Sequence, residues 1–402
     1  MGSRAPRRQN NGALPRKPPV PAEIASQPLH RPRDTLVSPM KIHINGRFLT
    51  QQVSGVQRYA RELLSALDRC LDADAELASR LGPIPVWYPE GAELVDPPAW
   101  KHLRPSPLPG RKGHAWEQLT LGSKARDGFL LSLCGAGPLQ CRNQLLVIHD
   151  ANIWAFPEAF PKSYRVFHKL MRPLLARRVT HLATVSRFSA GELGRCLRVP
   201  AERFTVIYNS AEHMIGAKAD PSALEKFGLE QGKYFFAAGN QSPNKNIGRL
   251  IEALERASDT DMPLAVAGGY APGVSQARIA ETDRIRLLGR VSDEELNALY
   301  SGAAAFLWPS LYEGFGIPPL EAMILGTPVL SSNSTAMPEV LGDAVPYFDP
   351  TDVDDIAKAL SSFAALGSEE RSEMAERGRI RARSFSWESS AETVLDILRG
   401  LG

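Results

Sequence analysis

This chain of 402 residues has only four cysteines, and none belongs to a Cys-x-x-Cys motif. Cys70, Cys134, Cys141 and Cys196 are too scattered for a zinc site or a disulfide framework, and their scarcity fits a reducing compartment. No apolar run reaches the roughly 18–20 residues that a membrane-spanning helix needs. The N-terminus lacks the apolar core of a secretory signal. A strong excess of one charge is missing as well, since the net charge is +3. Residues 1–39 hold seven basic and two acidic side chains, a balance of +5, which leaves −2 on the remainder. A mildly acidic body argues against nucleic-acid binding. These absences point to a cytoplasmic globular protein that at most touches a membrane surface. Its basic end would supply that contact, at about 1 kcal/mol per basic residue close to anionic lipid.

What is present is a globular composition, 43% hydrophobic and 23% charged, in a chain long enough for two domains. Residues 1–39 are rich in proline and arginine without a hydrophobic period, and read as a disordered, solvated tail. Met40 directly precedes the first strand and is an alternative start of translation.

From residue 41 onward, short apolar runs alternate with helical periods. Strands are expected at 41–45, 85–88, 129–132, 145–148 and 181–185, with 206–209 closing this half. Helices are expected at 58–67, 165–178 and near 189–196. The 165–178 helix reads as amphipathic, with apolar positions Val166, Leu170, Met171, Leu174 and Leu175. The second half repeats the pattern, with strands at 234–238, 264–267, 285–288, 305–308 and 328–331. Its helices fall at 247–257, 293–301 (capped by Ser292), 352–366 and 384–398. Such alternation gives an α/β fold class: two doubly wound Rossmann-like domains facing a cleft. The expected domains are 40–212 and 213–384, with 385–402 a terminal helix that crosses back to the first.

The densest chemistry lies in residues 309–323, where Glu313 and Glu321 stand eight positions apart across a glycine-rich turn. Pro318 and Pro319 suit the first turn of a helix, where missing N–H groups leave nothing unpaired. Gly314, Phe315 and Gly316 would then present amides at a helix N-terminus, where anions bind readily. Lys245 sits in a strand-to-helix loop, Gly239-Asn240-Gln241-Ser242-Pro243-Asn244-Lys245-Asn246. A cation there can neutralise a diphosphate and help it leave. His149-Asp150 follows an apolar strand, so the pair points into the cleft. Gly55-Val56 allows close backbone approach to a phosphate, and Arg58 and Tyr59 line the same wall or simply begin the helix. Glu313 and Glu321 are not read as a glycosidase pair, because one precedes the turn and the other lies within the helix. Asp72-Ala73-Asp74, which has the form of a metal-binding triplet, is assigned to solvent.

Together these features resemble family 4 of the retaining glycosyltransferases, which have the two-domain GT-B fold. The resemblance spans residues 41 to about 398. It rests on Glu313-x7-Glu321, the Lys245 loop, Val147-Ile148-His149-Asp150, Thr184-Val185-Ser186-Arg187-Phe188-Ser189, Ser54-Gly55-Val56-Gln57-Arg58-Tyr59 and Phe385-Ser386-Trp387-Glu388. It is similar in flavour to bacterial mannosyltransferases and rhamnosyltransferases of polysaccharide assembly.

The resemblance implies roles. Glu321 would bind the donor ribose. Glu313 with the amides of Gly314, Phe315 and Gly316 would hold the donor sugar and phosphates. Lys245 would bind the diphosphate, which Gly55 and Val56 would approach from the first domain. His149 would contact the transferring sugar, and Val291 would touch the base through its backbone. No metal or cofactor is expected, since cations and helix dipoles replace it. Relatives carry an arginine where this chain has Asn240 or Asn244, so neutralisation would lean on Lys245, the helix dipole, or an arginine such as Arg249 or Arg58.

The expected activity is transfer of a hexose from a nucleotide-diphosphate sugar to a saccharide or lipid-linked oligosaccharide acceptor, with retention. GDP-mannose is the leading donor, and a dTDP- or UDP-sugar the alternative. The rivals are a non-catalytic sugar-nucleotide-binding scaffold and an epimerase of the same fold.

Overall fold

The computed structural model describes residues 41–239, 242–257, 259–269 and 281–401. The expected tail, Met40 and Asn240 lie outside the described residues.

Seven strands build the first sheet: β1 (Lys41–Asn45), β2 (Ile84–Pro89), β3 (Leu103–Leu108), β4 (Gly128–Ser132), β5 (Gln144–Val147), β6 (His181–Thr184) and β7 (Phe204–Val206). They lie in the order 3-2-1-4-5-6-7 and every pairing is parallel. Six more build the second: β8 (Phe235–Ala238), β9 (Leu264–Ala267), β10 (Ile285–Gly289), β11 (Ala305–Trp308), β12 (Val329–Ser332) and β13 (Tyr347–Phe348). Their order is 10-9-8-11-12-13, again parallel. β8, β9 and β11 are buried at every position. Helices cover both faces of a parallel sheet, so its strands are continuous apolar runs rather than alternating ones.

Each order reverses beside its first strand, between β1 and β4 and between β8 and β11. Doubly wound sheets open a crevice at that reversal, outside the carboxyl ends of the strands. The loop leaving β1 ends at Gly55, the first residue of a helix, the one leaving β5 carries His149, and those leaving β8 and β11 carry Lys245 and Glu313. Topology alone therefore puts most of the candidate residues on crevice loops.

The main helices are α1 (Gly55–Ala73), α2 (Lys162–Arg178), α3 (Arg187–Leu197), α4 (Ile247–Arg256), α5 (Asp293–Gly302), α6 (Ile317–Ile324), α7 (Val353–Ala364), α8 (Ser368–Ala382) and α9 (Trp387–Arg399). α1 buries Tyr59, Leu63, Leu64, Leu67 and Leu71, the stripe that a 3.6-residue period lays on one face. α9 packs against α1, with the Trp387 and Tyr59 rings 5.7 Å apart. Ser390 Oγ donates to the Tyr208 carbonyl at 2.8 Å, and the Trp387 amide donates to the Glu212 carboxylate at 2.6 Å. The last helix is thereby fastened to the first sheet's elements.

Three expectations are corrected. β3 carries Pro105 and Pro107 and was not expected as a strand; it lies at the sheet edge, where a residue that cannot donate is tolerated. Asp72 and Ala73 are exposed as expected, but the carboxylates of this triplet are engaged. Asp72 pairs with Lys101 and His102, and Asp74 accepts the Leu77 amide at 3.0 Å, capping the short helix Ala75–Leu81. Most consequential is α2, whose Val166, Leu170 and Leu174 point outward at 59%, 64% and 51% exposure. Its buried residues are His168, Arg172, Leu175 and Ala176. The inward stripe is partly polar because α2 roofs a polar cavity.

Candidate active site

The turn after β11 is shaped by two glycines. A side-chain carbon on Gly314 would stand 2.7 Å from the His149 carbonyl oxygen and 2.8 Å from Asp150 Cβ. Gly316 has φ +94°, and a carbon there would meet Met337 Cε at 2.5 Å. Both positions thus demand glycine, one for close approach and one also for backbone conformation. The Gly314 carbonyl accepts from Ser186 Oγ at 2.6 Å and Ser189 Oγ at 3.0 Å, both at the start of α3. Elements of the first sheet therefore grip the turn of the second. Phe315 is buried against Tyr208 and Phe385. α6 then begins at Ile317 with prolines in its first turn, so the turn leads straight into a helix N-terminus.

The loop after β8 is tied to this turn. The Leu311 amide donates to the Asn244 carbonyl at 2.8 Å, and Asn244 Nδ2 donates to the Tyr312 carbonyl at 3.3 Å. Asn246 Nδ2 reaches the carbonyls of Pro309 and Pro350 at 3.1 and 2.7 Å. Asn244, at an arginine position of the resembled family, is here a buried strut between two loops. The struts aim Lys245 at the turn: its Nζ is 2.7 Å from Glu313 Oε1 and 4.5 Å from the centre of the Trp308 ring. The Glu313 amide donates to Thr335 Oγ1 at 3.1 Å.

Glu321 lies inside the second sheet's layer. Its Oε1 accepts from His213 Nε2 at 2.9 Å and its Oε2 from the Tyr300 hydroxyl at 3.0 Å. Burial alone would raise its pKa. The His213 bond and charge, the Arg58 charge and the Tyr300 bond outweigh that and hold the carboxyl below its usual range. Arg58, on α1, donates through Nη2 to both carboxylate oxygens of Asp293 at the start of α5, at 2.8 and 3.0 Å. Val291 is half-buried in the loop from β10 to α5, two residues before Asp293. Arg249 donates to Asn246 Oδ1 at 2.9 Å. Both arginines considered as substitutes for the missing one already have partners.

On the other wall, Gly55 begins α1, and a side-chain carbon there would stand 3.9 Å from Ile317 Cδ1. The first residues of α1 and α6 therefore lie against each other. His149 Nε2 is 2.9 Å from the Leu133 carbonyl oxygen. Because a carbonyl only accepts, that nitrogen carries the proton. Burial pushes the ring's pKa down, so it stays neutral, and Tyr59 packs edge-on at 4.7 Å.

Val56 and His149 line a cavity of about 310 Å³ together with Asn45, Arg47, Glu117, Tyr164, His168 and Arg172. Glu117 is buried; its carboxylate takes Asn45 Nδ2 and His114 Nδ1, each at 2.8 Å, with Arg47 at 3.5 Å. Burial would raise its pKa, but these partners bring it down. This cluster was not legible from the residues alone, because Glu117 lies in an irregular π-helical turn, Trp116–Leu121, that no period announces. Arg47 and Arg172 were masked by their ordinary positions after a strand and within a helix.

So the structure gathers Gly55, Val56, Arg58, His149, Lys245, Val291, Glu313, Gly314, Phe315, Gly316 and Glu321 on or just behind the crevice walls. Asn240 lies outside the described residues.

Residues 221–381 match the family described as Glycosyl transferases group 1. The chain is 36% identical over 265 residues to the O-antigen chain mannosyltransferase B of Escherichia coli, covering 63% of this chain and 69% of that protein. The chain belongs to the group 1 glycosyltransferases. It is also 29% identical over 335 residues to the O-antigen chain mannosyltransferase RfbU of Salmonella typhimurium, covering 80% of this chain and 91% of that one. The architecture of this glycosyltransferase is similar to that of the sucrose-phosphate synthase from Thermosynechococcus elongatus, with TM-score 0.66, 17% identity and coverage of 90% and 98%. It is also similar to Anabaena HepE in complex with UDP-glucose, with TM-score 0.63, 16% identity and coverage of 90% and 100%. At those identities the likeness concerns the fold, which is GT-B. The matched segment holds Lys245, Val291, Glu313 and Glu321, while Gly55 and His149 come from the part of the chain before it.

Proposed function

We propose that this glycosyltransferase moves mannose from GDP-mannose to a saccharide acceptor, lipid-linked, in surface polysaccharide synthesis, with retention at the anomeric carbon and without a metal. The mannosyl and O-antigen names of its relatives support the sugar and the setting. The observation that carries the site assignment is the packing of Gly314 against the His149 carbonyl, which joins the Lys245–Glu313 pair to the first wall.

In this reading residues 40–212 are the acceptor-side domain, 213–384 the nucleotide-sugar domain, and 385–402 a helix returned to the first. The ribose is held by Glu321, the base lies along the Val291 backbone, and Asn240 joins the wall beside the phosphates. The diphosphate lies between Lys245, the amides of Gly314, Phe315 and Gly316, and the facing N-terminus at Gly55 and Val56, with Arg58 behind. Glu313 accepts from hydroxyls of the sugar, and neutral His149 lies over its reacting face. The bond from the anomeric carbon to the phosphate oxygen breaks first, and the negative charge that develops is met by fixed donors that need no reorganisation. The acceptor hydroxyl attacks from the same face and gives its proton to the departing phosphate oxygen. The acceptor lies in the cavity lined by Glu117, Tyr164 and Arg172.

The test is transfer from GDP-mannose labelled in the sugar, run in EDTA, with proton NMR of the first product formed. The expected product is the α-mannoside. A β-product, or loss of activity in EDTA restored by magnesium, overturns the mechanism. Donor breakdown without transfer in the presence of saccharide acceptors overturns the activity.

A further inference from the structure

α2 presents two stripes. Tyr164, His168 and Arg172 line the cavity. Val166, Leu170 and Leu174, each two positions further on and so about 200° around the axis, stand outside at half exposure or more. Large apolar side chains grouped this way are unusual on a surface that faces only water. The apolar stripe continues sideways. Leu174 borders an open groove shared with Leu139, Gln140, Arg142, Arg177 and Arg178. Gln140 in turn touches the Leu119 carbonyl, and Leu119 is 52% exposed.

The charge carried by this helix has one sign. The helix sequence carries Lys162, Arg165, Lys169, Arg177 and Arg178 besides Arg172, and no carboxylate. Among the described residues none of those first five forms an ion pair; Arg165 and Arg177 donate only to the carbonyls of Pro157 and Leu197, at 3.1 and 3.4 Å. An exposed apolar stripe bordered by unpaired cations matches the surface of an anionic bilayer, where apolar residues enter the acyl boundary and cations meet headgroup phosphates. A second copy of this chain fits poorly. A two-fold contact sets the same patch against itself, and here that would oppose cation to cation.

We propose that the outer face of α2, through Val166, Leu170 and Leu174, docks on an anionic lipid surface. No helix among the described residues is long and apolar enough to cross a membrane, so this is a helix lying on the interface. Because the same helix roofs the cavity, docking sets the cavity mouth next to the headgroups, where a lipid-carried acceptor would be presented.

The experiment uses the full chain with neither donor nor acceptor, so its result is independent of the sugar-transfer reading. Cosedimentation is measured with phosphatidylcholine vesicles and with vesicles containing phosphatidylglycerol. The wild type is expected to pellet with the second and not the first, and Leu170→Glu to lower that partition on the order of tenfold or more. Leu170→Trp is expected to keep binding and to show fluorescence quenching by brominated phosphatidylglycerol beyond that of the wild type. Unchanged binding of Leu170→Glu overturns the proposal. So does a bound Leu170→Trp without added quenching, which would put the contact elsewhere, as on residues 1–39. A wild-type dimer abolished by Leu170→Glu would assign the face to a second copy instead.

Discussion

Lys245 Nζ lies 2.7 Å from Glu313 Oε1, with both side chains mostly buried and the Trp308 ring beneath the cation. The lysine is held at one address by a carboxylate from the opposite loop, so in the proposed reading its charge is positioned before the diphosphate arrives. Removing it as Lys245→Ala should lower kcat/KM by about 10²–10³-fold, the loss typical of a preorganised charge partner. Glu313→Ala should also reduce transfer, and the double variant should lose less than the two single losses combined, because the residues act together. Steady-state kinetics on the four proteins checks this. Full activity of Lys245→Ala would remove the lysine from the site.

The glycine at 314 is a packing requirement. Gly314→Ala would drive a carbon into the His149 carbonyl and Asp150, and backbone there yields only by separating the walls. A loss of about 1–3 kcal/mol in urea unfolding is expected, together with a raised KM for the donor. Gly191, within α3, has nothing within 4 Å of such a carbon. Gly191→Ala should therefore gain about 0.5–1 kcal/mol and leave kinetics unchanged.

Glu339 fastens the walls at a second point. Its carboxylate accepts the amides of Arg187 and Phe188 at 2.8 and 2.9 Å and the Tyr208 hydroxyl at 3.2 Å. The first two are the free N–H groups at the start of α3, where a negative charge is favoured. Glu339→Ala should cost about 1.5–3 kcal/mol for charge-assisted bonds and raise the donor KM more than it lowers kcat. Equal stability and unchanged KM would mean that the contact is absent in solution.

Much of this arrangement was legible in the chain. Pro318-Pro319 fixed the start of α6 within a residue or two, and Ser292 sits where it caps α5, its Oγ accepting the Glu295 amide. Both signals are local, so they can be read without knowing any tertiary contact. Two doubly wound domains followed from alternating apolar runs and helical periods, and the resemblance carried by the Glu313-x7-Glu321 turn and its companions named them GT-B. What stayed hidden depends on partners far away in sequence. Pro105 and Pro107 argue against a strand until β3 is known to be an edge. The amphipathic pattern of α2 did not tell that Leu170 and Leu174 would lie outside, above a polar cavity. The Lys245–Glu313 and Arg58–Asp293 pairs bridge 68 and 235 positions, and no spacing rule reaches that far.

Acid should act through buried histidines. His168 is buried, and burial followed by the Arg172 charge lowers its pKa to about 3. Between that value and the ordinary 6.5 the folded ring stays neutral while the unfolded one is protonated. The unfolded chain then binds more protons, so stability falls as pH drops through this window. His168→Phe should flatten the slope of unfolding free energy against pH between about 6.5 and 4. An unchanged slope would show that the ring is protonated in the fold.

The central claim is that the crevice between the two sheets holds a guanosine-diphosphate sugar against Lys245 and Glu313. A thermal-unfolding screen of GDP-mannose, UDP-glucose and a dTDP-sugar tests it most directly. At 100 times its dissociation constant the true donor adds about 2.7 kcal/mol. The account predicts that GDP-mannose alone raises the Tm of the wild type, and that Lys245→Ala and Glu313→Ala lose the shift at the same concentration. No shift with any nucleotide sugar, or a GDP-mannose shift preserved in both variants, would contradict it.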